Sequence, residues 1–253
     1  MDRRIRLGCV EFLNAVPLVY PLEYDMFPHP FEIHKDVPSA LAKGLVEGKY
    51  DIALASTTAL LGLGDEYSYI PGIGICSDGP VKSVLVYFVG DINRLQKLYL
   101  DPASLTGNLL SRIILEKKYG IKAALIKGEQ VDPRALKDGE GCVLIGDKAL
   151  TAYVGTCDRL DLGREWKELT GLPFVFGLWI GRKEFITDEA RIPLYNSWII
   201  GRSMVPRIIS SLGHLPVKPD VALDYLERCV TYEITEDHET ALDLFLNIAR
   251  DYA

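Results

Sequence analysis

The sequence lacks the motifs that mark most metal, nucleotide and nucleophile sites. Its four histidines are scattered, with no HExxH, and no cysteines stand at zinc-site spacing. Neither G-x-x-x-x-G-K-[ST] nor G-x-S-x-G occurs, and Gly72 with Gly74 forms an isolated G-x-G that opens no helix. We therefore expect no metal site, no dinucleotide fingerprint and no serine-hydrolase elbow.

Basic residues and long apolar runs are also scarce. The chain has 28 Lys and Arg against 35 Asp and Glu, a net charge of −7, which argues against a nucleic-acid or anionic-membrane surface. No apolar run approaches the roughly 18 residues of a membrane span, and Gly8, Glu11 and Asn14 interrupt the N-terminus too early for a signal peptide. The five cysteines, odd in number and far apart, indicate reduced thiols. We expect a cytoplasmic protein with no nucleic-acid or membrane partner.

Alternating strand and helix patterns divide the chain into two α/β units. The first opens with an apolar strand from Ile5 to Val10 and a helix that carries Pro17 in its first turn. Continued alternation predicts a parallel sheet, and a second unit begins near Lys97. In that unit Asp147 opens a helix expected to reach Tyr153, and from Thr187 onward the pattern is helical.

The order of these units predicts a periplasmic-binding-protein-like type II fold, an α/β fold whose two lobes enclose a ligand cleft. We expect a discontinuous first lobe, residues 1–88 plus 180–253, and an inserted second lobe, residues 89–179. The chain would cross between them near Val86–Gly90 and return near Val175–Ile180. Ligands of such open sheets bind where strand ends and helix N-termini converge.

The stretch from Asp161 to Trp179 joins a short helix to a strongly apolar strand. The helix carries Trp166 and ends at Gly171, a residue type suited to the left-handed position after a helix. The strand from Phe174 to Ile180 is apolar on both faces, which is typical of a central strand. We expect Trp166 to pack between the lobes, away from any ligand.

Hydroxyl, amide and carboxylate side chains recur at the predicted helix starts. Each one alone is explained as a helix cap or a turn residue. Together they follow the ends of predicted strands, where a cleft would lie, and helix N-termini with hydroxyls suit carboxylate ligands. The candidate site residues are Asn14, Ser56, Thr57, Ser83, Ser104, Thr106 and Asp147.

Four blocks of sequence resemble one family. They read FLNAVPLVYPLE (12–23), SDGPVKSVLVY (77–87), VLIGDKAL (143–150) and DLGREWKELTGLPFVFGLW (161–179). In this order they resemble the chorismate dehydratases of the futalosine route to menaquinone, over residues 5 to about 182. The last block is the most specific of the four.

The resemblance implies a carbon–oxygen lyase that removes water from chorismate to give 3-[(1-carboxyvinyl)oxy]benzoate, with no redox cofactor or metal. It places Asn14 and Ser83 at the family's active-site positions. Ser56, Thr57, Ser104, Thr106 and Asp147 are expected to bind the substrate. Because amide and hydroxyl groups are poor bases at neutral pH, the base would be the substrate's enolpyruvyl carboxylate or Asp147.

Two positions, Leu105 and Gly107, depart from the family that the sequence resembles, and two alternative functions remain open. Where relatives commonly read Ser-Arg-Thr-Ser, this chain has Ser104-Leu105-Thr106-Gly107, which removes a possible carboxylate partner. The same fold serves solute-binding proteins of transporters, which would carry an export signal or lipid anchor. A ligand-binding regulator would carry an output domain. The sequence leaves the oligomeric state open.

Overall fold

The computed structural model of this protein describes residues 4–152, 155 and 157–252. Tyr153, to which one helix was expected to extend, lies outside these residues. The strands are β1 (Ile5–Val10), β2 (Phe31–Asp36), β3 (Ile52–Ser56), β4 (Tyr67–Ser77), β5 (Val84–Phe88), β6 (Lys97–Tyr99), β7 (Ala124–Ile126), β8 (Glu140–Ile145), β9 (Asp158–Asp161), β10 (Phe174–Arg182) and β11 (Thr231–Glu233).

The described strands form two sheets with separate cores. The larger sheet has six strands in the order β11-β4-β10-β3-β1-β2, and the smaller has five in the order β7-β6-β8-β5-β9. As the βαβα pattern predicts, β1 pairs in parallel with both β2 and β3. The long strand β10 runs antiparallel to β3 and β4 in the middle of the larger sheet. Its buried residues on both faces confirm the prediction of a central strand.

Sheet membership differs at two strands from the expected lobes. Val84–Phe88 was expected in the first lobe and pairs within the smaller sheet, whereas Phe174–Trp179 was expected in the second lobe and pairs within the larger sheet. The chain therefore crosses between Ser77 and Val84 and returns between Asp161 and Phe174. Both strands are apolar on both faces, so their periodicity carries no information about which sheet they join.

The helices are α1 (Val16–Glu23), α2 (Pro38–Val46), α3 (Thr106–Tyr119), α4 (Gly146–Thr151), α5 (Leu162–Thr170), α6 (Asp188–Ser203), α7 (Val205–Ser211), α8 (Pro219–Asp224) and α9 (Glu236–Arg250). Within the described ranges, no helix combines the length and apolar character needed to cross a bilayer. The prediction that the chain is helical from Thr187 onward is wrong at Thr231–Glu233, which forms the edge strand β11 against β4. A three-residue strand stabilised only by its partner has too little sequence pattern to be recognised.

The helix α5 and the strand β10 confirm the local reading of the Asp161–Trp179 stretch. Asp161 caps α5 by accepting hydrogen bonds from two backbone N–H groups, and Gly171 ends it in the left-handed conformation at φ 76°. Trp166 is fully buried, donates its indole N–H to the Pro173 carbonyl at 2.9 Å, and packs edge-on against Phe174 of β10 and Phe245 of α9. It therefore joins the smaller lobe's helix to the larger sheet.

Candidate active site

One cleft lies where strand ends from both sheets meet. Its walls come from the segments after β1, β3 and β8, the segment before β5, the middle of β10 and the first turn of α3. The cavity itself has a volume of about 80 Å³, and the space including its opening to solvent is about 570 Å³. Among the described residues, its walls contain no Asp, Glu, His, Lys or Arg. A ligand here would be held by neutral hydrogen-bonding groups and apolar surface.

Five of the seven residues predicted from the sequence line this cleft. They are Asn14, Ser56, Ser83, Ser104 and Thr106. These residues are up to 92 positions apart along the chain (106 − 14), and the fold brings them together because each lies at a strand end or in the first turn of a helix or just before it. The structure thus places these five in one cleft, and their roles toward a substrate stay predictions.

The other two predicted residues, Thr57 and Asp147, do not line the cleft. Thr57 is fully buried, and its hydroxyl donates to the Val175 carbonyl at 2.7 Å, which ties the turn after β3 to β10. Asp147 accepts a hydrogen bond from the Leu13 N–H at 3.0 Å and faces a neighbouring surface pocket. Burial raises the pKa of its carboxyl. Both were predicted from their place at a helix start, which does not tell where the side chain points.

Asn14 lies in a short 3-10 turn, Leu13–Ala15, that directly follows β1. Its backbone carbonyl accepts a hydrogen bond from the Tyr232 hydroxyl at 2.9 Å. Its side-chain oxygen is shielded from solvent and has no hydrogen-bond partner among the described residues. An unpaired buried acceptor lowers the stability of a fold by about 1–3 kcal/mol. Because Asn14 lines the cleft, a hydrogen-bond donor of a ligand could pair with this oxygen.

Ser83 is fully buried and held from two sides. Its backbone carbonyl accepts a hydrogen bond from the Gly146 N–H at 2.8 Å, and its hydroxyl oxygen accepts one from the Tyr225 hydroxyl at 2.7 Å. Tyr225 begins a π-helical turn, Tyr225–Cys229, after α8. Sequence reasoning missed Tyr225 and Tyr232, because a buried tyrosine in a helical or short strand segment looks like any other core aromatic.

The turn before Ser83 is anchored by Asp161. The carboxylate of Asp161 accepts hydrogen bonds from the backbone N–H groups of Val81 at 3.0 Å and Lys82 at 2.7 Å. Lys82 has φ 61°, an uncommon left-handed conformation for a residue other than glycine. The same carboxylate caps α5. The Asp161 block, which carries the family resemblance, therefore positions the segment that enters the site.

A group of hydroxyls, Ser56, Thr58 and Thr106, joins the two lobes at the edge of the cleft. The Thr106 hydroxyl oxygen lies 2.7 Å from both the Ser56 and Thr58 hydroxyl oxygens and accepts the Thr58 N–H at 3.0 Å. Ser104 sits beside it and accepts the Gly107 N–H at 3.0 Å. Leu105, where the resembling family commonly has arginine, is 40% exposed at the cleft wall. The cleft wall therefore has an apolar side chain at the position of the family's arginine, and the neutral hydroxyl groups of Ser104 and Thr106 lie on either side of it in sequence.

Comparison with known proteins gives a consistent family. The sequence model of a menaquinone biosynthesis family matches residues 5–251. The chain is 26% identical over 258 residues to a chorismate dehydratase of Campylobacter jejuni, covering 96% of each chain. It is 27% identical over 195 residues to a chorismate dehydratase of Thermus thermophilus, covering 70% of each.

Solved structures confirm the two-lobed fold. A protein from Archaeoglobus fulgidus superposes with a TM-score of 0.78 at 18% identity, covering 99% of this chain and 98% of its own. The periplasmic aliphatic sulphonate binding protein of Escherichia coli superposes with a TM-score of 0.66 at 13% identity, covering 100% and 88%. The predicted periplasmic-binding-protein-like architecture is therefore correct.

Proposed function

Since the chain belongs to this menaquinone biosynthesis family, we propose that it is a chorismate dehydratase, a hydro-lyase that converts chorismate into 3-[(1-carboxyvinyl)oxy]benzoate. The observation that carries the proposal is a family match along nearly the whole chain, combined with a cleft lined by uncharged donors. A cytoplasmic location belongs to the same proposal and is supported by five unpaired cysteines.

The reaction needs little more than orientation and charge stabilisation. Chorismate's ring carboxylate is conjugated to the diene, so removal of the C3 proton gives a delocalised carbanion. The C3–H electron pair becomes part of the ring π system, the C4–O bond breaks, and the proton and hydroxide leave as water. Because the product ring is aromatic, the step is strongly downhill. Fixed donors around the developing charge, in a site that excludes water, suit this chemistry.

We assign Asn14 and Ser83 to the reacting part of the substrate and the other cleft hydroxyls to its carboxylates. Asn14 offers an unpaired side-chain oxygen, and Ser83 offers a hydroxyl held by Tyr225. Ser56, Ser104 and Thr106 surround the first turn of α3, whose N-terminus favours an anion.

The base in this proposal is the substrate's own enolpyruvyl carboxylate, which is carried on C3 itself. Asp147, the other base considered, accepts a hydrogen bond from Leu13 and faces a different pocket. A carboxylate delivered by the substrate explains why a cleft walled by neutral groups suffices for proton removal.

The test is to incubate the purified protein with chorismate and identify the aromatic product by absorbance and mass spectrometry. We expect the unaltered protein to convert chorismate. For Asn14→Ala and Ser83→Ala we expect turnover to fall about a hundredfold or more, the size of loss seen when an enzyme loses one hydrogen-bond donor to its transition state. Ser210→Ala, which removes an exposed hydroxyl bonded only within its own helix, should leave turnover unchanged.

Two results would contradict the proposal. Chorismate bound without conversion would favour a solute-binding or regulatory protein instead. Near-normal turnover in both Asn14→Ala and Ser83→Ala would keep the activity and overturn the assignment of these residues.

A further inference from the structure

The hydrogen bond between Tyr225 and Ser83 is buried at the back of the cleft wall. The two hydroxyl oxygens are 2.7 Å apart, with Tyr225 1% exposed and Ser83 fully buried. Tyr225 is far from Ser83 in sequence and reaches it only because the π-helical turn Tyr225–Cys229 follows α8 at this point. Turns of this kind often occur at functional sites.

Tyr225 acts as the donor in this hydrogen bond. Burial raises the pKa of its phenol well above the usual value of about 10, so its proton is retained at neutral pH. Hydrogen bonding from the Ser83 and Asn14 side chains acts to lower this pKa, and burial outweighs it. With Tyr225 donating to its oxygen, the Ser83 hydroxyl has its own proton free to point elsewhere.

We propose that Tyr225 is a positioning residue that directs the Ser83 hydroxyl proton into the cleft, so that Ser83 serves as a hydrogen-bond donor to the departing C4 hydroxyl. This role rests on the proposed chorismate dehydratase function. Ser83 does not remove the C3 proton, since a neutral hydroxyl is a poor base at neutral pH. The C3 proton passes to the substrate carboxylate and leaves with the C4 hydroxide as water, and both Tyr225 and Ser83 keep their protons.

The same C-terminal segment positions both sides of the site. Seven residues after Tyr225, the Tyr232 hydroxyl donates to the Asn14 backbone carbonyl at 2.9 Å. Tyr225 therefore sets the direction of the Ser83 hydroxyl, and Tyr232 holds the backbone of Asn14. Residues 225–232 support both members of the pair from behind the cleft wall.

The first test is Tyr225→Phe, which keeps the ring and removes only the hydroxyl. We expect kcat with chorismate to fall about tenfold to hundredfold, less than for direct loss of a transition-state donor, with KM nearly unchanged. The matched control is Tyr87→Phe, another fully buried tyrosine, whose hydroxyl donates to the Ala149 carbonyl at 3.1 Å in the core of the smaller lobe. Its kcat should match that of the unaltered protein.

A double-mutant cycle separates positioning from a purely structural role. If Tyr225 acts through Ser83, then Tyr225→Phe added to Ser83→Ala should change kcat by less than about twofold. Multiplicative losses in the double variant would overturn the inference, as would full kcat in Tyr225→Phe alone. Should Tyr225→Phe fail to fold by circular dichroism, 4-fluorophenylalanine at position 225 fills the space without a donor and is put through the same cycle.

The activity of the unaltered protein separates a failure of the proposed function from a failure of the role assigned to Tyr225. If the unaltered protein does not convert chorismate, the proposed function fails and the inference fails with it. If the unaltered protein converts chorismate and the cycle is multiplicative, only the role of Tyr225 is wrong.

Discussion

Replacing Asp161 tests how far the turn before Ser83 controls the active site. One carboxylate oxygen, Oδ1, accepts the N–H groups of Val81 at 3.0 Å, Gly163 at 3.1 Å and Arg164 at 3.2 Å. The other, Oδ2, accepts only the Lys82 N–H, at 2.7 Å. Asp161→Asn can keep the three bonds to Oδ1 while its amide NH₂ replaces Oδ2. It therefore breaks the Lys82 bond selectively, whereas Asp161→Ala removes all four.

The expected losses of stability follow from these contacts. Loss of the α5 cap costs about 1 kcal/mol, and each bond to the turn contributes about 1 kcal/mol more, so Asp161→Ala should lower the free energy of unfolding by about 3 kcal/mol. Asp161→Asn should lower it by about 1 kcal/mol. A left-handed conformation at a residue with a side chain costs roughly 1–2 kcal/mol, so Lys82 should relax once its bond is lost. Ser83 would then move from its place in the cleft wall.

The two variants are compared by urea unfolding and by turnover of chorismate. For Asp161→Asn we expect kcat to fall about tenfold or more although the protein stays folded. A misplaced Ser83 that stabilises the transition state by about 1.4 kcal/mol less lowers the rate by a factor of about ten. The control is Asp91→Ala, which removes a similar cap from a short 3-10 helix on the exposed surface and should leave kcat unchanged. Full turnover in folded Asp161→Asn would refute the idea that this turn positions Ser83.

Three further predictions concern substrate binding, pH and packing. Leu105→Arg supplies a cation at the exposed cleft wall and should lower KM for chorismate up to about fivefold at low salt, with the effect shrinking as salt is added. Burial lowers the pKa of His238 from its usual 6.5, so the native state binds fewer protons than the unfolded state, and the free energy of unfolding should fall as the pH drops below about 6.5. His238→Gln, which retains a residue type suited to the capping box of α9, should remove that part of the slope in urea unfolding. Gly201→Ala would place a Cβ against the Pro17 backbone carbonyl where α6 crosses α1, and should lower the free energy of unfolding by about 1–3 kcal/mol.

Each of these predictions has a control and a contrary result. For Leu105, the neutral variant Leu105→Gln should leave KM unchanged, and an equal KM shift in both variants would exclude a charge effect. An unchanged pH slope in His238→Gln would assign that slope to carboxylates. Gly213→Ala, at a site with open space around it, should be neutral, and equal stability in Gly201→Ala would mean that the α1–α6 contact adjusts.

The sequence alone determined the features that depend on neighbouring residues. Gly171 ends α5 because the backbone there needs a left-handed residue, and the strand after it is central because it is apolar on both faces. The pattern of hydroxyl and amide groups named Asn14, Ser83 and three other residues that line the cleft, and their roles there stay predictions. These features follow from local backbone preferences and periodicity, which a short window of sequence contains.

Only the tertiary structure decided which distant groups meet. Strand pairing moved Val84–Phe88 into the smaller sheet and Phe174–Arg182 into the larger one. The packing of the helices turned the Asp147 carboxylate toward the Leu13 N–H. It also brought the hydroxyl oxygens of Tyr225 and Ser83, 142 positions apart in sequence, within 2.7 Å of each other. A hydrogen bond between residues so far apart depends on the packing of every element between them, and that packing has no local signature. The direction of each polar side chain, on which the chemistry of the cleft depends, was therefore set by the fold.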